Sequence, residues 1–164
     1  MKLDKILVPL DGSMLAEAAI GRAVELAKEN PDATLLLLRA AEASTLPGVD
    51  PTEGQVVAVK EAEEYVEAVA ARLAQGGVPH VKTSVWYGKP APAIVEAARY
   101  GKIDLIVMST HGRSGLGRLI LGSVAESVLR STRTPILLLR ADGAPIERPE
   151  GAAEARSAGR LAHV

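Results

Sequence analysis

Apolar positions along the chain fall into two alternating patterns. Ile6-Leu7-Val8, Leu35 to Leu38, Val81 to Trp86, Ile103 to Met108 and Ile136 to Leu139 are runs of strand length, several of them apolar throughout rather than at every second position. Strands covered on both faces read this way, because neither face meets water. Between these runs, Ala16, Ile20, Val24 and Ala27 recur at helical spacing. So do Val59, Ala62, Val66, Val69 and Leu73, then Ile94 and Ala98, then Val124, Val128 and Leu129. Local chemistry marks the ends. Ser13 can cap the first helix, Asp50-Pro51-Thr52-Glu53 offers a capping aspartate, a first-turn proline and a capping-box glutamate, and Pro90 suits another first turn. Asn30-Pro31, Gly76-Gly77 and Gly101 read as stops. Five strands alternating with four helices predict an α/β fold: a five-stranded parallel sheet in the order 3-2-1-4-5, with helices on both faces because crossovers are right-handed.

Two segments break the rhythm. Ala41 to Val49, with Ser44, Thr45, Pro47 and Gly48, is longer than a parallel crossover requires and reads as a lid or a mobile connection. After Arg140 the chain turns rich in Ala, Gly, Pro and charge, and its larger aliphatics, Ile146, Leu161 and Val164, are too few to order it. One domain over residues 1–140 and a disordered tail over 141–164 are therefore expected. Length agrees, since 164 residues, 48% hydrophobic and 24% charged, can bury one good core and not two. Cysteine is absent, which removes disulfides and thiol chemistry and agrees with a reducing compartment, the cytoplasm being the simplest. Lys2, Asp4 and Lys5 interrupt the stretch where a signal peptide needs an apolar run, and no apolar stretch is long enough for a bilayer, so no membrane is expected. A net charge of −1 and 2% aromatic residues place nucleic acid low among partners.

In a doubly wound sheet, ligands sit beyond the carboxyl ends of the strands, where the strand order reverses. Three segments carry suitable chemistry there. Val8-Pro9-Leu10-Asp11-Gly12-Ser13 closes the first strand. Asp11 can face ribose hydroxyls or, through water, a magnesium ion, and it can equally serve as a turn or helix-start residue. Arg39-Ala40 ends the second strand, where a small residue leaves room for a flat base, although an ordinary strand end looks the same. The third segment is Met108-Ser109-Thr110-His111-Gly112, followed after nine residues, Arg113 to Leu121, by Gly122-Ser123 and a helical run. N–H groups at a helix start have no intrahelical partner and lie at the positive end of the helix dipole, so they bind anions. The loop is neither a Gly-x-x-x-x-Gly-Lys-Ser/Thr phosphate loop nor the dinucleotide fingerprint, and a surface loop using Gly112, Gly115 and Gly117 for turns looks alike. His111 reads as a loop-orienting hydrogen-bonder before a catalyst, and Arg113 and Arg118 can meet phosphate oxygens or stay solvated. Ser123 is the strongest single candidate, since a helix N-cap and a phosphate donor want the same hydroxyl.

These segments together resemble the universal stress proteins, whose nucleotide loop runs strand, Gly-x-His-Gly or Gly-x-x-Gly, nine residues, then Gly-Ser/Thr. Ile6-Leu7-Val8-Pro9-Leu10-Asp11-Gly12-Ser13 and Leu121-Gly122-Ser123-Val124-Ala125-Glu126 carry the likeness too, over Lys5 to Arg140. The resemblance implies a Rossmann-like, adenine nucleotide alpha hydrolase-like sheet in a small cytoplasmic protein, usually dimeric, whose ATP-binding branch carries this loop. By that resemblance Pro9, Asp11 and Ala40 line the adenine and ribose side, Met108 packs near the base, and Gly112, Gly122, Ser123 and Val124 hold the phosphates. The full expected cofactor-binding set adds Leu10, Ser109, His111 and Arg113. Ser109 stands where the ATP-binding pattern has its first glycine, so altered or weakened binding is expected.

No Ser, His and carboxylate set falls together, and His80, His111 and His163 lack metal-ligand spacing. The leading expectation is a regulatory protein of the stress response that binds ATP, with magnesium, and does not turn it over. Alternatives are an AMP or cyclic AMP binder, a slow ATPase or autophosphorylating enzyme with Asp11 as base, and a nucleotide-free interaction module. A homodimer is expected through Pro135 to Arg140, an edge strand too apolar to leave open.

Overall fold

The computed structural model describes residues 3–43, 50–110 and 121–140. Strands β1 (Lys5–Leu10), β2 (Thr34–Ala41), β3 (Val81–Tyr87), β4 (Leu105–Ser109) and β5 (Ile136–Leu139) alternate with helices α1 (Met14–Lys28), α2 (Pro51–Gln75), α3 (Pro90–Gly101) and α4 (Ser123–Ser131). All neighbouring strands are parallel, in the expected order β3-β2-β1-β4-β5. The expected tail, residues 141–164, lies outside the described residues, as do residues 44–49 of the long connection after β2.

Each central strand sends alternate residues to opposite layers. Ile6, Val8 and Leu10, Leu35 and Leu37, and Leu105 and Val107 pack with Ala16, Ala19, Ile20 and Ala23 of α1 and Val69 of α2. Leu7, Leu38, Ile106 and Met108 pack with Ala91, Ile94, Ala97 and Ala98 of α3 and with Ala125 and Val128 of α4. This double cover explains the unbroken apolar runs of β1, β2 and β4. β3 is different: it lies at an edge and carries exposed Lys82, Thr83 and Tyr87.

The end signals are partly as expected. Ser13 caps α1, its hydroxyl accepting from the Ala16 N–H at 3.1 Å. Asp50 caps α2, accepting from the Thr52 N–H at 2.7 Å with Pro51 in the first turn. One expectation is corrected. Ile103 does not begin β4: its N–H donates to the Ala98 carbonyl at 3.0 Å, closing the end of α3, and the strand starts at Leu105. α3 does stop at Gly101, its last residue, and it is Lys102 that takes the left-handed turn at φ 50°. A Cβ at Gly101 would come within 3.3 Å of the Ile103 side chain, a tight contact that the side chain must shift slightly to admit.

Leu37 has no exposed surface, whereas Leu129 on α4 is 50% exposed. Leu37→Ala is therefore expected to lower stability by about 2–5 kcal/mol, and Leu129→Ala by no more than about 0.5 kcal/mol. Urea unfolding midpoints of the two variants check the contrast.

Candidate functional site

The sheet opens where its order reverses. β1 stays in register with β2 from Lys5↔Thr34 to Leu10↔Arg39, but with β4 the register covers only Ile6↔Leu105 and Leu7↔Ile106. Beyond Leu7 the two strands feed a cavity of about 750 Å³ at their carboxyl ends. Pro9, Leu10 and Asp11 line it from β1, Arg39 to Ala43 from the end of β2, and Met108, Ser109 and Thr110 from β4. Gly122, Ser123, Val124 and Ala125 form the α4 side. Nine of the twelve expected site residues thus share one cavity. The other three, His111, Gly112 and Arg113, lie outside the described residues.

Asp11 does what a turn residue does and still lines the cavity. Its Oδ1 accepts from the Ser13 N–H at 2.9 Å, which ties the end of β1 to the cap of α1. Gly12, at φ 84°, makes the turn that this requires. At α4 the expectation for Ser123 is corrected in part. Gly122 is the N-cap, with φ −57° and ψ 144°, and Ser123 is the first helical residue, with no side-chain cap hydrogen bond at this helix start. The Gly122 N–H is engaged by the Thr110 carbonyl at 2.7 Å, and the Glu126 N–H begins the helical ladder by donating to the Gly122 carbonyl at 2.9 Å. The N–H groups of Ser123, Val124 and Ala125 stand at positions with no intrahelical partner, beside the positive end of the helix dipole. An anion in the cavity finds its donors there.

The opposite wall was not foreseen from the sequence. Ala58, Glu61 and Ala62 of α2 and Pro90 and Ile94 of α3 complete the cavity, and Ala40, Ala41, Ala43, Ala58 and Ala62 leave a slot of small side chains. Only the spacing of Ala58 and Ala62, one turn apart within the helix that follows β2, could have signalled this. Arg39 was read as a strand end, yet it is the one cation lining the cavity among the described residues. Its guanidinium carbon lies 4.8 Å from the centroid of the Tyr65 ring. The Tyr65 hydroxyl donates to Glu17 Oε1 at 2.8 Å, and Arg72 pairs with the same carboxylate. Among the described residues no cluster of three or more His, Cys, Asp or Glu is arranged to hold a metal ion.

Residues 2–140 match the Universal stress protein family. The chain belongs to that family. Universal stress protein MJ0531 of Methanocaldococcus jannaschii is 36% identical over 141 residues, 83% of this chain and 81% of that protein. Among solved family structures, Universal stress protein UspA from Lactobacillus plantarum has a TM-score of 0.73 at 28% identity, covering 85% of this chain and 99% of its own. A universal stress protein in complex with cAMP has a TM-score of 0.56 at 26% identity, covering 84% of this chain and 97% of its own. Among the described residues no helix is long and apolar enough to cross a membrane.

Burial pushes the Tyr65 hydroxyl well above the usual tyrosine range, and the hydrogen bond to Glu17 and that carboxylate's charge push the same way. Because the folded value is raised, the stability that the hydroxyl contributes is fully present below the unfolded tyrosine value of about 10 and is lost as pH climbs above it. Absorbance titration is expected to show one of the three tyrosines held back from ionising until the chain unfolds in alkali, and Tyr65→Phe to remove that step.

Proposed function

We propose that the protein binds an adenine nucleotide, ATP with magnesium, as a regulatory protein of the stress response acting through binding and not through turnover. The observation that carries this reading is the cavity between the diverging ends of β1 and β4, which joins an alanine-lined slot to the start of α4. Its volume, about 750 Å³, lies within the roughly 300–1,000 Å³ of small-molecule sites. A flat base suits the slot beside Ala40, ribose hydroxyls suit the Asp11 carboxylate, and phosphates suit the N–H groups of Ser123 and Val124 with the Ser123 hydroxyl. Magnesium keeps most of its water and rests on substrate phosphates with one or two carboxylates, so the ATP would carry the ion, with Asp11 reaching it through water. The cysteine-free composition supports a cytoplasmic setting.

Turnover needs a base beside the terminal phosphate. The described residues on the β4 and α4 side of the cavity are Met108, Ser109, Thr110, Gly122, Ser123, Val124 and Ala125, none of them a base at neutral pH. Multiple-turnover ATP hydrolysis lost in Asp11→Ala would overturn the binding role. Titration calorimetry with magnesium and ATP is expected to show binding, weakened by about 1–2 kcal/mol in Ser123→Ala through loss of a charge-assisted hydrogen bond. Equal affinity in both proteins would remove Ser123 from the phosphate contacts.

Ser109 favours a second reading. It ends β4 half-buried in the cavity, where a side chain takes space from a polyphosphate, and a family structure carries cAMP. If crowding selects the ligand, AMP or cyclic AMP competes well with ATP and Ser109→Gly shifts preference toward ATP. Unchanged relative affinities in that variant would exclude crowding.

The edge strand β5 supports a homodimer. Ile136 to Leu139 are all only partly buried, Leu137 and Leu139 toward one layer and Ile136 and Leu138 toward the other. Pairing with a second copy about a twofold axis satisfies the outer backbone groups and covers these side chains. Light scattering is expected to give a dimer that Leu138→Glu dissociates or unfolds. A monomeric wild type would end the proposal.

A further inference from the structure

β3 is the longer of the sheet's two edges, with 7 residues against 4 in β5, and it keeps an unbroken register with β2 from Leu35↔Val81 to Ala41↔Tyr87. Two backbone bonds fix which of its groups face outward. The Leu35 N–H donates to the His80 carbonyl and the Gly88 N–H to the Ala41 carbonyl, each at 2.8 Å. Along a strand in a parallel pair, every second residue turns its backbone groups to the neighbour, so the even-numbered residues from His80 to Gly88 face β2. Val81, Thr83, Val85 and Tyr87 therefore turn their N–H and C=O groups away from the sheet, and among the described residues no strand pairs with them. The devices that usually blunt such an edge are few here. The strand holds no proline, and its one charge is Lys82, which is exposed together with Thr83 and Tyr87. Side chains alternate between the layers: Val81 packs toward α2, while Trp86, and with it Lys82 and Ser84, lies on the α3 layer. Trp86 is held in place, its ring stacked on Tyr100 of α3 with centroids 6.0 Å apart and its Nε1 donating to Ser84 Oγ at 3.1 Å.

We infer that β3 is a self-pairing edge whose occupant is β3 of a second copy, antiparallel and centred on Ser84. The inference does not depend on the nucleotide reading. Outward-facing groups of two copies meet only where odd-numbered residues stand opposite odd-numbered ones, and centring on Ser84 satisfies this along the whole strand. Val81 then faces the partner's Tyr87, and Thr83 faces the partner's Val85, each such pair exchanging two hydrogen bonds. On the α2 layer a β-branched residue thus meets an aromatic one, a favourable cross-strand pair. On the α3 layer Lys82 meets the partner's Trp86, a cation beside an aromatic ring. Like charges stay apart, because the two lysines of such a pair stand about 14 Å from each other, beyond the screening length of about 8 Å at physiological salt. The one charge of the edge is therefore matched by a second copy and needs no acidic partner.

Analytical ultracentrifugation of the full chain over a rising series of concentrations tests this. Weight-average mass is expected to double, from dimer to tetramer if β5 already joins two copies and from monomer to dimer if it does not. Emission of Trp86, the chain's only tryptophan, is expected to shift to the blue over the same range as a second strand covers it. Thr83→Pro is expected to abolish both changes. The Thr83 N–H faces outward, so proline there removes a donor to the second copy and none to β2. Lys82→Glu is expected to raise the concentration needed about tenfold, since each pairing loses two cation–ring contacts, and Lys82→Arg to leave it in place. Circular dichroism shows whether Thr83→Pro is folded; if it is not, the two Lys82 variants decide. A wild-type mass that holds constant with concentration overturns the inference and leaves the edge to a strand of another protein. A rise that survives in folded Thr83→Pro, or that Lys82→Glu leaves unmoved, overturns it as well, because the association then lies at another surface.

Discussion

The site depends on β1 being paired along both edges and released early along one of them. Its register with β2 runs to Leu10↔Arg39, while that with β4 covers Ile6↔Leu105 and Leu7↔Ile106. Right-handed crossovers do the rest. Moving outward from β1 through β2 to β3 places α1 and α2 on one layer. The return from β3 to β4 and on to β5 reverses direction and places α3 and α4 on the other. Among the described residues no helix covers the split between the ends of β1 and β4, and that is where the cavity lies. Apolar burial thus holds the strands together below the cavity, whose walls include the carboxyl ends of β1, β2 and β4.

What was legible in the sequence follows from how local each signal is. Ser13 and Asp50 announce helix starts because each acts on an N–H only two or three residues away. The buried runs of β1, β2 and β4 are visible because double cover leaves no polar position to interrupt them. Ile103 was misread as a strand residue for a physical reason. The end of α3 is set by the Ile103 N–H returning to Ala98 and by the side chain of Ile103 filling the space above Gly101, and neither is written in propensity. Nine cavity residues could be named in advance because they sit at strand ends and helix starts, which topology brings together. Glu61 and Ala58 could not. Their place depends on how α2 lies across the end of β2, a matter of packing between distant segments.

The polar contacts on the α1–α2 side show what such packing adds. Glu17 accepts from Tyr65 and from Arg72, both on α2, so one carboxylate on α1 fixes the rotation of its neighbour. The Arg72 pair is largely solvent-facing and by itself contributes little. The Tyr65 hydrogen bond is more sheltered and points the ring at Arg39. Without it α2 would still bury Ala62, Val66 and Val69, but the face it turns to the cavity would be less defined.

Thr110 joins the two halves of the proposed function. Its N–H donates to the Leu139 carbonyl of β5 at 2.8 Å, and its carbonyl accepts from the Gly122 N–H, the cap of α4, at 2.7 Å. The start of α4, where an anion would find its donors, therefore hangs from the end of the edge strand through one peptide unit on each side of Thr110. A shift of β5 against β4, whether by pairing with a second copy or by loss of it, cannot leave the Ser123 and Val124 N–H groups where they were unless Thr110 yields. Backbone hydrogen bonds yield less readily than side-chain contacts, because breaking one strands a donor and an acceptor together. The start of α4 and the end of β5 are thus tied to each other through two backbone hydrogen bonds to a single residue, Thr110.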